Sequence, residues 1–166
     1  MKTVNLKTDD QAKEEISASN WSVKSVKTGP GHDAPSMSCS LYKDGKRVAT
    51  VWDDSWGGGF QFTWVKGQEA VEKEFDAYAK SFTCSCSSLD GKSLQYNMDI
   101  VVDELVNRFE EDKTYKRQCK TKTLYSLECD DKGQYWILSN KFDEKCKAHL
   151  VKKYGKKLKE IINERF

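Results

Sequence analysis

The stretch Val51–Trp64, VWDDSWGGGFQFTW, places three of the chain's five tryptophans within fourteen residues. Trp52, Trp56 and Trp64 bracket a turn built from Asp53, Asp54, Ser55, Gly57, Gly58 and Gly59. Glycine suits backbone that must take positive φ or be approached closely, and Asp and Ser hydrogen-bond to the backbone of their own turn. Strand-like segments flank it, Arg47 to Trp52 entering and Phe60 to Val65 leaving, with Phe60, Phe62 and Trp64 alternating against Gln61 and Thr63. The stretch reads as a β-hairpin whose tip displays an aromatic ring, two carboxylates and bare backbone.

Upstream, Lys43 to Lys46 surround an Asp-Gly pair, the strongest short-range hairpin signal. It joins a strand over Met37 to Tyr42 to the return strand Val48 to Trp52. Trp21, Val23 and Val26 mark an earlier strand, ended by the TGPG of Thr28 to Gly31, where Pro30 lacks a donor. Together these pieces predict a β-meander of about four strands. Ahead of it, Thr8 and Gln11 match a capping box, with Asp9, Asp10, Glu14 and Glu15 following, so a short helix to about Ser17 is expected.

After Gly67 the period changes. Val71, Phe75, Tyr78, Ala79 and Phe82 share one helical stripe, and a second amphipathic helix from Met98 to about Glu111 buries Met98, Val101, Val102, Leu105, Val106 and Phe109, with Asn97 or Asp99 as its cap. Between them, Cys84 to Ser93 reads as a polar loop. Thr114 to Thr123 reads as a basic, extended segment. Thr123 to Cys129 and Gln134 to Leu138 flank a second turn. A last helix starts near Phe142, capped by Ser139 or Asn140, aligns Phe142, Cys146, Leu150 and Tyr154, and stops at Gly155. A terminal piece with Leu158, Ile161 and Ile162 closes the chain. The expected fold is a single α+β domain over 1–166: an antiparallel sheet of four to six strands with amphipathic helices on one face.

Composition narrows the functional classes. With 37% hydrophobic and 33% charged residues, a chain of this size can bury a real core. No apolar run approaches the ~18 residues of a bilayer span, and the opening MKTVNLKTDD has no signal-type apolar segment, so a cytoplasmic protein without a membrane role is expected. The six cysteines then read mostly as small apolar core residues rather than disulfides. Net charge is +2, but residues 1–111 carry 13 Lys+Arg against 18 Asp+Glu, and residues 112–166 carry 15 against 8. The basic end can attract an anion or present a solvated face.

TLYSLECDDKGQYWILSNKFDEKCKAHLVKKYGKKLKEIINERF and YKDGKRVATVWDDSWGGGF resemble patches of small uncharacterised bacteriophage and prophage proteins. The two patches cover about a third of the chain. That resemblance implies a phage context, with the host cytoplasm as the place of action, and no defined activity. Where that family's pattern calls for His, this chain has Trp56, so no metal or proton role carries over to that position.

Each candidate site has a competing structural reading. Asp53 and Asp54 can bind a divalent cation or act as acid and base, but neighbours on a strand point to opposite faces, and turn-forming duty is favoured. Gly57, Gly58 and Gly59 can form an anion nest, yet they lack a Walker or dinucleotide signature. Cys119, Cys129, Cys146 and His149 leave open a zinc site without a CxxC knuckle, and Cys84-x-Cys86 is a weak redox or metal pair. His32, Asp33 and Ser36 offer no triad spacing. Lys116 and Arg117, within a run of lysines interleaved with Tyr115 and Tyr125, suit contact with an anionic nucleotide or nucleic acid. No cofactor is expected. The sequence favours a non-enzymatic phage binding protein that inhibits a host defence component through protein or nucleotide binding at Asp53, Asp54, Trp56, Gly57 and Gly58. The alternative is an enzyme or binding module acting on nucleotides or nucleic acid through the same turn and the Lys116 and Arg117 surface. Trp52 and Trp64, on strands, are expected in the core.

Overall fold

The computed structural model describes residues 7–85, 93–131 and 133–166. Its contacts group into two compact units, Met1–Phe109 and Glu110–Phe166, with the boundary inside one helix. The architecture is α+β, as expected.

The first unit opens with a two-residue strand β1 (Lys7–Thr8) and helix α1 (Asp9–Ser17). The capping box is present: Thr8 Oγ1 accepts from the Gln11 amide and Gln11 Oε1 accepts from the Thr8 amide. Strands β2 (Trp21–Gly29), β3 (Ser36–Lys43), β4 (Lys46–Asp53) and β5 (Gln61–Trp64) form an antiparallel sheet in sequential order, the meander expected from the alternation. Asp44 and Gly45 both take positive φ, 50° and 76°, as a two-residue hairpin turn of the type favoured by strand twist requires.

One face of this sheet is the core. Phe75, on helix α2 (Glu69–Lys80), lies against Trp21 at 4.6 Å and against Phe62 and Trp64 at 6.4 Å between ring centroids. Ala12 and Ile16 of α1, Ala79 of α2 and Val101, Val102 and Leu105 of helix α3 (Met98–Cys119) join Val23, Cys39, Leu41 and Val51 in the same cluster. Trp64 is partly buried against it. Trp52 is not: it is 41% exposed on the opposite face, because Val51 takes the inward position of β4 and alternation turns Trp52 out. The expected core role of Trp52 is therefore corrected.

The loop expected at Cys84 to Ser93 begins and ends in strand. Strands β6 (Thr83–Ser85) and β7 (Ser93–Gln95) pair antiparallel, and β6 also pairs parallel with β1. The intervening residues 86–92, with Cys86, lie outside the described residues. Asn97 does cap α3, its Oδ1 accepting from the Ile100 amide. The helix then runs to Cys119 rather than stopping near Glu111, so Thr114 to Cys119 is helical and not extended.

The second unit continues from that helix. Tyr115 and Cys119, one helical turn apart, pack with Leu124 and Ile162, which is what sustains the helix past its polar middle. Strands β8 (Thr123–Leu127) and β9 (Trp136–Leu138) form the expected second hairpin, and β10 (Leu158–Ile161) pairs on the other edge of β8. Helix α4 (Glu144–Tyr154) is capped by Asp143, not Ser139 or Asn140: the Asp143 carboxylate accepts from the Cys146 amide, and that bond lowers its pKa. Leu150 packs with Tyr125 and Ile161, and Gly155 ends the helix at φ 52°. No helix among the described residues is long and apolar enough to cross a membrane.

Candidate functional site

The β4–β5 tip is organised by a residue with no role in the sequence reading beyond turn formation. Ser55 is only 4% exposed and sits at φ 63°, a conformation disfavoured for L-residues by roughly 1–2 kcal/mol. Its backbone N–H donates to Asp53 Oδ1 at 2.8 Å. Its Oγ accepts from the His32 amide at 2.6 Å, and its carbonyl accepts from the Asp33 amide at 3.3 Å. The β2–β3 loop is thus clasped onto the hairpin tip across 23 residues of sequence. Gly31 is what lets it close: a Cβ there would lie 2.0 Å from both the Ala34 carbonyl oxygen and Ser55 Oγ.

The clasp carries His32 onto Trp56. Their rings stack with centroids 4.1 Å apart and planes 18° from parallel. His32 Nδ1 is 2.7 Å from Asp33 Oδ1, which orients the imidazole. Trp56 remains 68% exposed, so a large ring is held in place by its neighbour while keeping most of its surface in water. The Trp56 amide donates to Asp54 Oδ1 at 3.2 Å. Asp53 and Asp54 are therefore both turned back onto their own turn, each accepting from a backbone amide two residues on.

The three glycines differ from one another. Gly57 takes φ 80°, and neither Gly57 nor Gly58 has any neighbour within 4 Å of where a Cβ would be. At Gly59 that atom would be 2.4 Å from Asp99 Oδ2. Glycine at this position admits the Asp99 carboxylate to the backbone. Burial pushes the Asp99 carboxyl up, the Phe60 amide that hydrogen-bonds it opposes the shift, and the negative Asp53 nearby adds to it. Sequence reading considered Asp99 only as a helix cap. Its approach to the tip has no local signal, since it comes from α3.

His32, Asp33 and a serine do meet here, but not as a nucleophile and its base. Ser55 Oγ is buried and occupied by a backbone amide, and Ser36, the serine nearest His32 and Asp33 in sequence, donates instead to the Pro30 carbonyl. Among the described residues no group of three or more His, Cys, Asp and Glu side chains is arranged to hold a metal ion, and Cys119, Cys129, Cys146 and His149 do not converge. Among the described cysteines, Cys39 and Cys84 are buried, Cys119 and Cys146 partly so, and Cys129 is exposed; burial raises the Cys39 thiol pKa to about 11.

No protein-family model, curated protein or solved structure matches the chain.

Lys116 and Arg117 lie in the second unit, exposed on the last turns of α3. Lys116 Nζ stands 5.1 Å from the centroid of the Phe166 ring. Their helical setting replaces the extended basic segment expected from the sequence.

Proposed function

We propose that this protein is a phage-type binding protein, without catalytic activity, that occupies a host component through the tip of the β4–β5 hairpin. The observation that supports this reading most is Trp56: an exposed indole, stacked on His32 and fixed by the Ser55 clasp. An immobilised aromatic ring loses little side-chain entropy when a partner covers it, and tryptophan is the residue most enriched among interface positions that dominate binding energy. The hydrogen bonds of the clasp supply the pre-organisation. In this reading Asp53 and Asp54 shape the turn, while Gly57 and Gly58, with open space around them, let a partner's surface reach the backbone.

Asp53, Asp54 and Ser55 accept from backbone amides and His32 pairs with the Asp33 carboxylate, rather than aiming at a common reacting position, which favours binding over turnover. The experiment is affinity capture from bacterial lysate by the wild-type chain and by Trp56→Ala, alongside a nucleotide-turnover assay with and without a divalent chelator. Capture that depends on Trp56, with no turnover, is the expected result. Chelator-sensitive nucleotide turnover by the wild-type chain would replace the binding reading with an enzymatic one.

A further inference from the structure

The four-stranded sheet has a second face, and its composition is unlike the rest of the first unit. None of the residues that alternation turns to it belongs to the hydrophobic core. Ser38 and Ser40 of β3 define it. Opposite them in register stand Lys27 and Lys24 of β2, and Trp52 and Thr50 of β4.

Two irregularities determine which charges this face carries. In an unbroken strand, residues three apart point to opposite faces. Lys24 and Lys27 nonetheless pair with Ser40 and Ser38, two residues apart on β3, because β2 bulges between them, with Ser25 at φ 56°. On β4 the register also shifts, Arg47 pairing with Tyr42 while Ala49 pairs with Leu41. That shift buries both Val48 and Ala49 and turns Arg47 to the same face as Thr50. Bulges commonly re-aim a side chain, and here both bring a cation to one surface.

The result is a sheet face with Lys24, Lys27 and Arg47 exposed, hydroxyl-bearing residues between them and, among the described residues, no carboxylate. Asp53, the nearest acid on β4, pairs with Met37 and so belongs to the core side. Among the described residues none of the three cations forms an ion pair. Lys24 Nζ lies 4.7 Å from the centroid of the Tyr42 ring, and Arg47 Nη2 donates to Thr50 Oγ1; both contacts leave the charge uncompensated. Trp52, 41% exposed, is the ring on this face that no cation of the described residues covers. By strand rise it lies roughly 13 Å along the sheet from Tyr42.

We infer that this face binds single-stranded nucleic acid, with Lys24, Lys27 and Arg47 on the phosphates and a base stacked on Trp52. Cations without carboxylates match a phosphate backbone, serine and threonine hydroxyls donate to phosphate oxygens, and an exposed indole offers a sequence-tolerant stacking platform. The face is distinct from the Trp56 tip and stands whether or not the tip binds a protein.

The test is fluorescence anisotropy with labelled oligothymidylate and oligouridylate of about 20 nucleotides, against the full chain at about 50 and about 200 mM salt. Binding of either oligonucleotide is expected. Lys24→Glu with Lys27→Glu should weaken binding at least about tenfold at the lower salt and flatten the slope of log affinity against log salt by about 1.4, two phosphate contacts at ~0.7 each. Trp52→Ala should weaken it roughly tenfold with the salt slope unchanged. Both lysines are exposed, so their variant carries the test even where loss of the Trp52 ring disturbs the fold. Lys116→Glu with Arg117→Glu should leave binding at the wild-type level. Three results overturn the inference: no anisotropy change with either oligonucleotide; loss of binding only in the Lys116 and Arg117 variant; or equal binding of polyglutamate with no effect of Trp52→Ala, which would make the face a general polyanion or acidic-protein surface.

Discussion

Substituting Gly31 by alanine should open the clasp that holds the hairpin tip. The added Cβ would lie 2.0 Å from a backbone oxygen and from Ser55 Oγ, where real contacts stay beyond 3.0 Å. The Ala34 carbonyl belongs to the same β2–β3 loop, so clearing it re-bends that loop, while the contact with Ser55 Oγ forces the loop and the hairpin tip apart by about 1 Å. The His32 amide to Ser55 Oγ bond, 2.6 Å in the structure, then stretches to about 3.6 Å and ceases to be a hydrogen bond. Losing it, with a partly buried donor and a buried hydroxyl left behind, costs about 2–3 kcal/mol. The assay is urea denaturation followed by far-UV circular dichroism, with Gly29→Ala as control, because a Cβ at Gly29 meets only the Ser36 hydroxyl at 3.3 Å. The control should lose less than about 1 kcal/mol. Were Gly31→Ala as stable as the control, the clasp would not be holding the tip.

Two further outcomes follow from the same packing and electrostatics. Trp64→Ala removes a partly buried ring that lies against Phe75 and should cost about 3 kcal/mol; a loss below about 1 kcal/mol would place Trp64 outside the core. The Asp99 carboxyl titrates above its ordinary value in the folded state, so between the unfolded pKa and the raised folded one the folded chain holds more protons. Its contribution to stability is then present at low pH and declines as pH rises through that window. Asp99→Asn should remove this contribution to the decline and be more stable than wild type at pH 7, with the two converging below about pH 4; denaturation curves of both across pH check it, and a variant no more stable than wild type at pH 7 would contradict it.

Much of the fold was legible because its signals were local. Thr8 with Gln11, Asp44 with Gly45, and the alternation of Phe60, Phe62 and Trp64 each specify an element within a few residues. The continuation of α3 was not, because Thr114 to Cys119 is polar and basic; only Tyr115 and Cys119, spaced one turn apart, carry the helical period, and their burial depends on Leu124 and Ile162. Cys84 read as loop because β6 and β7 have three residues each, too few to show alternation. At the site, the exposure of Trp56 followed from its place in a turn. The partners that fix it did not, since His32 arrives from another loop and Asp99 from α3. The bulges of β2 and β4 left no residue-type mark either: neither Ser25 nor Val48 is a residue that announces irregular backbone, so the shared face of Lys24, Lys27 and Arg47 is visible only in the register.

The claim that the hairpin tip is the binding surface is tested most directly by measuring the affinity of Trp56→Ala for the partner that the wild-type chain captures, together with its melting temperature. At 68% exposure the indole contributes little to the fold, so melting should be nearly unchanged, while removing the anchor should cost ~2 kcal/mol of binding, roughly thirtyfold in Kd. Wild-type affinity in Trp56→Ala, with binding abolished by charge reversal at Lys116 and Arg117, would contradict the account and place the functional surface in the second unit.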